Sequence, residues 1–283
     1  MWVFLDARTH WRAPAAVGWA LGTLAAAGLA VPVYLLIRPS RSSLWGTGEI
    51  LGLTILFAVV IPLVTVTVFH VSPAAAPSLG VIAALGVFQN ASFVAGSLYV
   101  CRVKYHLPPA SLGLAFPAGR WVRGLVQSAT AAAASLIGNS IGQHATVSAL
   151  TLVIGERAAG DLVSRETLRT PIYRLLPHVH QRAELAVLAV LVGIVVPVGE
   201  EIFFRGLAFG AMRRRTGRHL AVVLSALFFA VAHLQAIEFL PIVILGIVLA
   251  YTYEFTGSLI PGMIAHGVNN LAALVLFYQA SSP

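Results

Sequence analysis

The chain has 283 residues, 58% hydrophobic and only 10% charged, with a mean hydropathy of +0.88. A soluble domain is about 45–50% apolar and about 25% charged, so this composition excludes a disordered chain, a nucleic-acid-binding domain and an ordinary cytosolic enzyme. The net charge of +8 sits on basic residues strewn between apolar runs, as membrane insertion requires, and the single cysteine, Cys101, excludes an intramolecular disulfide framework or a Cys-based zinc site.

Predominantly apolar runs near the 20 residues needed to cross a hydrocarbon core recur along the chain. In order they cover residues 13–37, 50–69, 79–101, 125–155, 185–212, 220–234, 239–255 and 260–278. None alternates as a barrel strand does, so the expected fold is all-α, a multi-pass membrane protein with about eight transmembrane helices. The first run is about twice the usual length of a signal-peptide apolar region and is read as a retained helix. The sixth and seventh are short, and the fourth is long enough to tilt or break. Counting basic residues in alternate loops gives ten against seven, a bias that places the 213–218 loop in the cytoplasm. Residues 156–184 are the one sizeable polar stretch and are expected to form a loop with an amphipathic surface helix. No repeat of fixed period appears. The chain reads as one integral membrane domain, with 1–180 carrying no motif and 184–278 carrying the candidate chemistry; the expected location is the cell membrane.

Ionisable groups inside a bilayer cost several kcal/mol and require an explanation. Of the ten acids, Asp6, Glu49, Glu156, Asp161, Glu166, Glu184, Glu238 and Glu254 fall in tails, loops or span edges and read as solvated boundary residues. Glu200 and Glu201, in the run VGEEIFFRG over 198–206, lie well inside a span. Adjacent helical side chains point about 100° apart, so the two carboxylates cannot share one task. Arg205 is four residues beyond Glu201, which favours an ion pair on one face. Glu200 is left without a countercharge, and a desolvated carboxylate of that kind is suited to exchanging protons near neutral pH.

His233, His266 and Asn270 also fall in late apolar runs, with His266 and Asn270 four apart on one helical face. Glu200 is thirteen residues before Arg213 and His233 thirteen after Leu220. A hairpin through 213–219 therefore sets both at about 20 Å from its turn, where they can meet. His266 and Asn270 join them if the last span packs alongside and the 256–262 turn dips inward. Such a set suits water activation: Glu200 as general base, His233 orienting the water or binding a metal that holds it, and His266 with Asn270 donating to an oxyanion. Glu200, His233 and His266 also make up a recognised catalytic zinc set, so Zn2+ or another divalent metal and a metal-free glutamate mechanism both stay open.

Glu-Glu-x-x-x-Arg (Glu200 to Arg205), Phe-x-x-x-His (Phe229 to His233) and His-x-x-x-Asn (His266 to Asn270) occur in this order on late spans. Together they resemble the three motifs of the CAAX protease and bacteriocin-processing family, the Abi intramembrane proteases. The resemblance covers 184–278 and implies a membrane endopeptidase with a polar cavity open to one side, acting on a protein or peptide substrate associated with the membrane. It implies catalytic roles for Glu200, His233, His266 and Asn270, with Glu201, Arg205 and Phe229 in support. The eukaryotic members trim prenylated C-termini, a substrate not carried over to this chain.

Three rivals remain at this point. Gly138-Asn-Ser-Ile-Gly142 matches the pattern of a serine-hydrolase elbow, with His144 four residues past Ser140. That elbow needs a strand–turn–helix, whereas a Gly-x-x-x-Gly pair in a membrane helix serves close packing. A proton- or ion-coupled transporter would also carry Glu, Arg and His in the membrane, but no duplicated halves are present. An inactive scaffold would use the same groups only to join helices.

Overall fold

The computed structural model describes residues 27–38, 44–57, 78–115, 121–167, 170–179 and 181–281. Among these the regular structure is entirely helical. We label the helices α1 (Ala27–Ile37), α2 (Thr47–Ile55), α3 (Leu79–Lys104, its last six residues π-helical), α4 (Trp121–Ile154), α5 (Glu156–Thr167) and α6 (Pro171–Leu175). They continue with α7 (Arg182–Thr216), α8 (Arg218–Ala232), α9 (Phe239–Thr256) and α10 (Ile260–Ser281). The outer parts of the first two expected spans (13–26 and 58–69), Asp6 and the basic residues in those tails and loops lie outside the described residues.

Among the described residues, four helices are long and apolar enough to cross a membrane: Leu79–Lys104, Arg182–Thr216, Phe239–Thr256 and Ile260–Ala280, with α8 a shorter apolar helix. The protein is therefore an all-α, multi-pass membrane protein, while the described residues do not reproduce a count of eight. The fourth expected span shows why. It does form a helix of 34 residues. However, Gln127, Ser128, Thr130, Ser135, Asn139, Ser140, Gln143 and His144 interrupt its apolar surface without adding any charge, so absence of charge overstated its hydropathy. The 156–184 stretch contains α5 as expected, mostly exposed, with Ala159 buried and Val163, Glu166 and Thr167 half-buried.

α7 forms the axis of the site. It passes through two π-helical segments, Leu191–Val195 and Ile202–Phe209. Pro197 has no N–H to offer a carbonyl one turn back, which makes the first segment a natural place for the irregularity. Unpaired carbonyls are costly in lipid, so neighbours must satisfy them. α10 meets this need: Asn270 Nδ2 donates to the Val192 carbonyl at 3.0 Å, and Gly267 packs so closely on the Gly193 carbonyl that a Cβ would collide with it. On the other side of α7, Gly199 lies directly against Asn90 of α3.

The α7–α8 turn is tight, with Gly217 at φ +83°. Arg213 and Arg218 flank it and both reach Glu254 near the end of α9, at 3.1 and 2.8 Å. In the α9–α10 turn, Leu259 packs beside Gly206 of α7 and Ser258 Oγ donates to the Ala115 carbonyl. The helix that follows carries His266 to the α7 carboxylates.

Several acids expected as solvated boundary residues turn out to join helices. Glu49 is buried and accepts from Lys104 Nζ at 2.6 Å and from the Tyr105 hydroxyl at 2.9 Å. Glu166, at the end of α5, accepts the backbone N–H groups of Ala236 and Ile237 in the loop that follows His233. Glu238 is half-buried and accepts from Gln143. Burial holds its carboxyl above the usual range, with the Glu166 charge acting in the same direction and the Gln143 bond opposing. Boundary position fixes where a charge lies along the chain but not what it touches.

The Gly138–Gly142 pair is used for packing. A Cβ at Gly142 would stand 2.9 Å from Pro241 Cα in α9, and Gly138 lies against Ile244. Ser140 is exposed, and His144 Nδ1 bonds the Ser140 carbonyl instead of its hydroxyl. Gly142→Leu is expected to destabilise the folded protein by about 1–3 kcal/mol through overpacking, read as a lowered Tm in detergent, while Ser140→Ala leaves Tm unchanged.

Candidate active site

The two glutamates diverge as helical geometry requires. Glu201 is 1% exposed. Its Oε1 accepts from Arg205 Nη1 at 2.9 Å and from His266 Nδ1 at 3.1 Å. Arg205, fully buried, also reaches the Gly246 carbonyl with Nη2 at 3.5 Å, and its guanidinium lies 4.3 Å from the centre of the Phe229 ring. The Glu201–Arg205 pair expected from the i,i+4 spacing is therefore present, with His266 as a third member.

Glu200 turns toward a cavity of about 300 Å3. Thr54 and Phe57 line it from α2 and the turn after it, Gln89 and Phe93 from α3, Phe203 and Phe204 from α7, and Phe228, Ala232, His233 and Leu234 from α8 and its end. Glu200 Oε2 is buried and has no hydrogen-bond partner among the described residues. His266 Nε2 lies 3.7 Å from it, beyond hydrogen-bond length but within reach of a charge. Since a carboxylate only accepts, His266 carries a proton on Nδ1 toward Glu201. A second proton on Nε2 would make the approach to Glu200 an ion pair.

His233 ends α8. Its Nδ1 donates to the Phe229 carbonyl at 2.8 Å, fixing the tautomer and leaving Nε2 as the nitrogen open to other partners. The Phe-x-x-x-His spacing does two things: the Phe229 carbonyl orients the imidazole, and the Phe229 ring packs edge-on against it at 4.6 Å. The same ring meets His266 at 5.8 Å and Arg205. Phe229 thus touches both histidines.

Glu200 and His233 line one cavity, as their depth matching implied. His266 backs Glu200, and His266 and Asn270 are not part of the cavity wall. Asn270 has its amide engaged by Val192. Sequence reasoning passed over Gln89, because only ionisable groups were sorted; its signal was a pair of carboxamides, Gln89-Asn90, midway along an apolar run. Among the described residues no three His, Cys, Asp or Glu side chains are placed to hold a metal ion. Of the expected zinc set, Glu200 and His233 line the cavity, while His266 bonds Glu201 through Nδ1 and approaches Glu200 with Nε2.

Removing one member of a buried ion pair leaves the other uncompensated. Arg205→Met is expected to destabilise by about 3–5 kcal/mol, read as a large Tm loss in detergent. The Glu201→Gln/Arg205→Met double variant should recover much of that loss; a double variant as unstable as the single one contradicts the assignment.

Residues 182–272 match the sequence model of the family described as type II CAAX prenyl endopeptidase Rce1-like. A curated relative, UPF0177 protein YxdF of Lactococcus lactis subsp. lactis (strain IL1403), is 32% identical over 82 residues, which is 29% of this chain. The match covers 45% of that relative, so the chain spans less than half of its length. No solved structure matches. Residues 182–272 hold every motif residue from Glu200 to Asn270, so the family model matches the part of the chain that carries the candidate site.

Proposed function

We propose that the protein is an intramembrane endopeptidase that cleaves a membrane-associated protein or peptide with water activated by Glu200. One observation carries this reading: Glu200 is a carboxylate with a partnerless buried oxygen, on the wall of a cavity it shares with His233. The family match supports the peptidase class over a transporter or a scaffold. Phenylalanine-rich walls suit an apolar peptide segment, and the apolar helices place the reaction in a membrane, which we take to be the cell membrane.

In this mechanism a water sits between Glu200 and His233 Nε2. Glu200 takes a proton from it as the oxygen attacks the scissile carbonyl carbon, and the carbonyl electrons move to oxygen. Collapse breaks the C–N bond, and Glu200 passes its proton to the leaving amine. His266, expected on the oxyanion side, is by its position a proton partner of Glu200, with Glu201 and Arg205 fixing its ring. Asn270 holds α10 to α7 at the level of the reaction. No step is routed through a metal, since among the described residues no three candidate side chains gather as a ligand set.

Quantitative terminal proteomics of membranes from cells carrying wild type or Glu200→Ala would identify substrates as fragments that depend on Glu200. With a peptide spanning such a cut, Glu200→Ala, His233→Ala and His266→Ala should each lower the cleavage rate by about 10^2-fold or more, with Tm retained for Glu200→Ala and His233→Ala. Ser140→Ala should cleave at the wild-type rate. Cleavage persisting in purified Glu200→Ala protein would falsify the mechanism. Exhaustive chelation should leave the wild-type rate unchanged; a chelator-induced loss restored by Zn2+ would contradict the metal-free route.

A further inference from the structure

Peptide hydrolysis by a glutamate-activated water places negative charge on the carbonyl oxygen, and catalysis gains most from donors aimed at that charge. The two groups first expected to supply them, His266 and Asn270, do not line the cavity wall. Asn270 gives one N–H of its Nδ2 to the Val192 carbonyl, and His266 donates from Nδ1 to Glu201. The cavity wall contributed by α3, however, carries a carboxamide with no assigned partner.

Gln89 lines the cavity together with Glu200 and His233. It is half-buried, midway along the 26-residue apolar helix Leu79–Lys104. Its side chain makes no hydrogen bond to any described residue, in contrast to its neighbour Asn90, whose Nδ2 donates to the Gly86 carbonyl. An amide fully removed from water without a partner costs about 1–3 kcal/mol on the mutational scale; Gln89, half-buried on the cavity wall, keeps its donors and acceptor available to water or a ligand. Gly199 supplies the geometric reason for its position. The absent side chain there lets α3 press Asn90 against α7 one residue before Glu200, which brings Gln89 to the same cavity. Phe93, one turn beyond Gln89, shares this wall and stacks on Phe203 at 5.0 Å, fixing the rotation of α3 against α7.

We infer that Gln89 is a further catalytic residue, the amide donor to the scissile carbonyl, acting across the cavity from Glu200 and His233. A carboxamide has two N–H donors and one acceptor, which also matches the two polar groups of a peptide bond. Nε2–H donates to the carbonyl oxygen as it becomes an oxyanion, and Oε1 accepts the N–H of a neighbouring peptide group. No proton leaves Gln89 at any stage, so the proton balance stays with Glu200 as above. This assignment rests on the peptidase reading, and its test separates the two.

The probe is a synthetic peptide spanning a cut that appears in wild-type but not Glu200→Ala membranes, assayed with purified full-length protein. Gln89→Leu keeps the size and suits the apolar helix, so Tm should be unchanged or raised. Its kcat should fall by about 10^2-fold with a smaller change in KM, as for loss of an oxyanion donor. Gln89→Glu presents acceptors and a charge to the oxyanion and should lose more, while Gln89→Asn should retain an intermediate rate. If Glu200→Ala is inactive but Gln89→Leu keeps the wild-type kcat, the Gln89 assignment is overturned and the peptidase reading stands. A raised KM with unchanged kcat also overturns it, since Gln89 would then contribute only uniform binding. If no cut depends on Glu200, the peptidase reading fails and this assignment fails with it.

Discussion

The site depends on one buried ionic cluster. Glu201, Arg205 and His266 form a contact network in which the carboxylate accepts from the Arg205 guanidinium and the His266 imidazole, and the guanidinium rests on Phe229. Burying such a group is expensive, and breaking it more so, so its members fix one another's positions. That rigidity sets the direction of everything around it. With Glu201 facing Arg205, the next carboxylate along the helix must face elsewhere, and with His266 Nδ1 held by Glu201, its Nε2 must face Glu200. Phe229 carries the same constraint to His233 through its ring and its carbonyl.

A second constraint comes from the backbone. The π-helical segments of α7 leave carbonyls that a membrane cannot hydrate, and α10 supplies both a missing side chain, at Gly267, and a donor, at Asn270. Close approach of α10 at this point also delivers His266 to the carboxylates. The α9–α10 turn enters this packing directly, with Leu259 beside Gly206 of α7. The His-x-x-x-Asn motif thus combines an ionisable group aimed at Glu200 with a polar group that repairs the helix beside it.

Much of this was legible in the sequence because charge is scarce in it. With so few acids, each could be tested against its place in an apolar run, and Glu200 was the one left without an ordinary role. The ion pair followed from spacing alone, and the shared depth of Glu200 and His233 from counting residues to a turn. What escaped the sequence was contact between distant segments. Nothing local shows that Glu166 accepts from the loop after His233, or that Asn270 is claimed by a carbonyl exposed by a π-helix. Gln89 was missed because an uncharged amide is common in many environments and becomes informative only once its cavity is known. The long α4 misled for a related reason: a run free of charge can still be polar along much of its length.

The central claim is that Glu200 acts through the cavity as a base while Glu201 acts through the ion cluster. Chemical rescue separates these roles most directly. Added formate can occupy the space of a deleted carboxylate side chain in a cavity of about 300 Å3, so it should restore measurable cleavage to Glu200→Ala in a concentration-dependent way. Glu201→Ala, with its defect buried away from the cavity and bound up with Arg205, should not respond. Failure of formate to rescue Glu200→Ala, or equal rescue of both variants, would contradict the account.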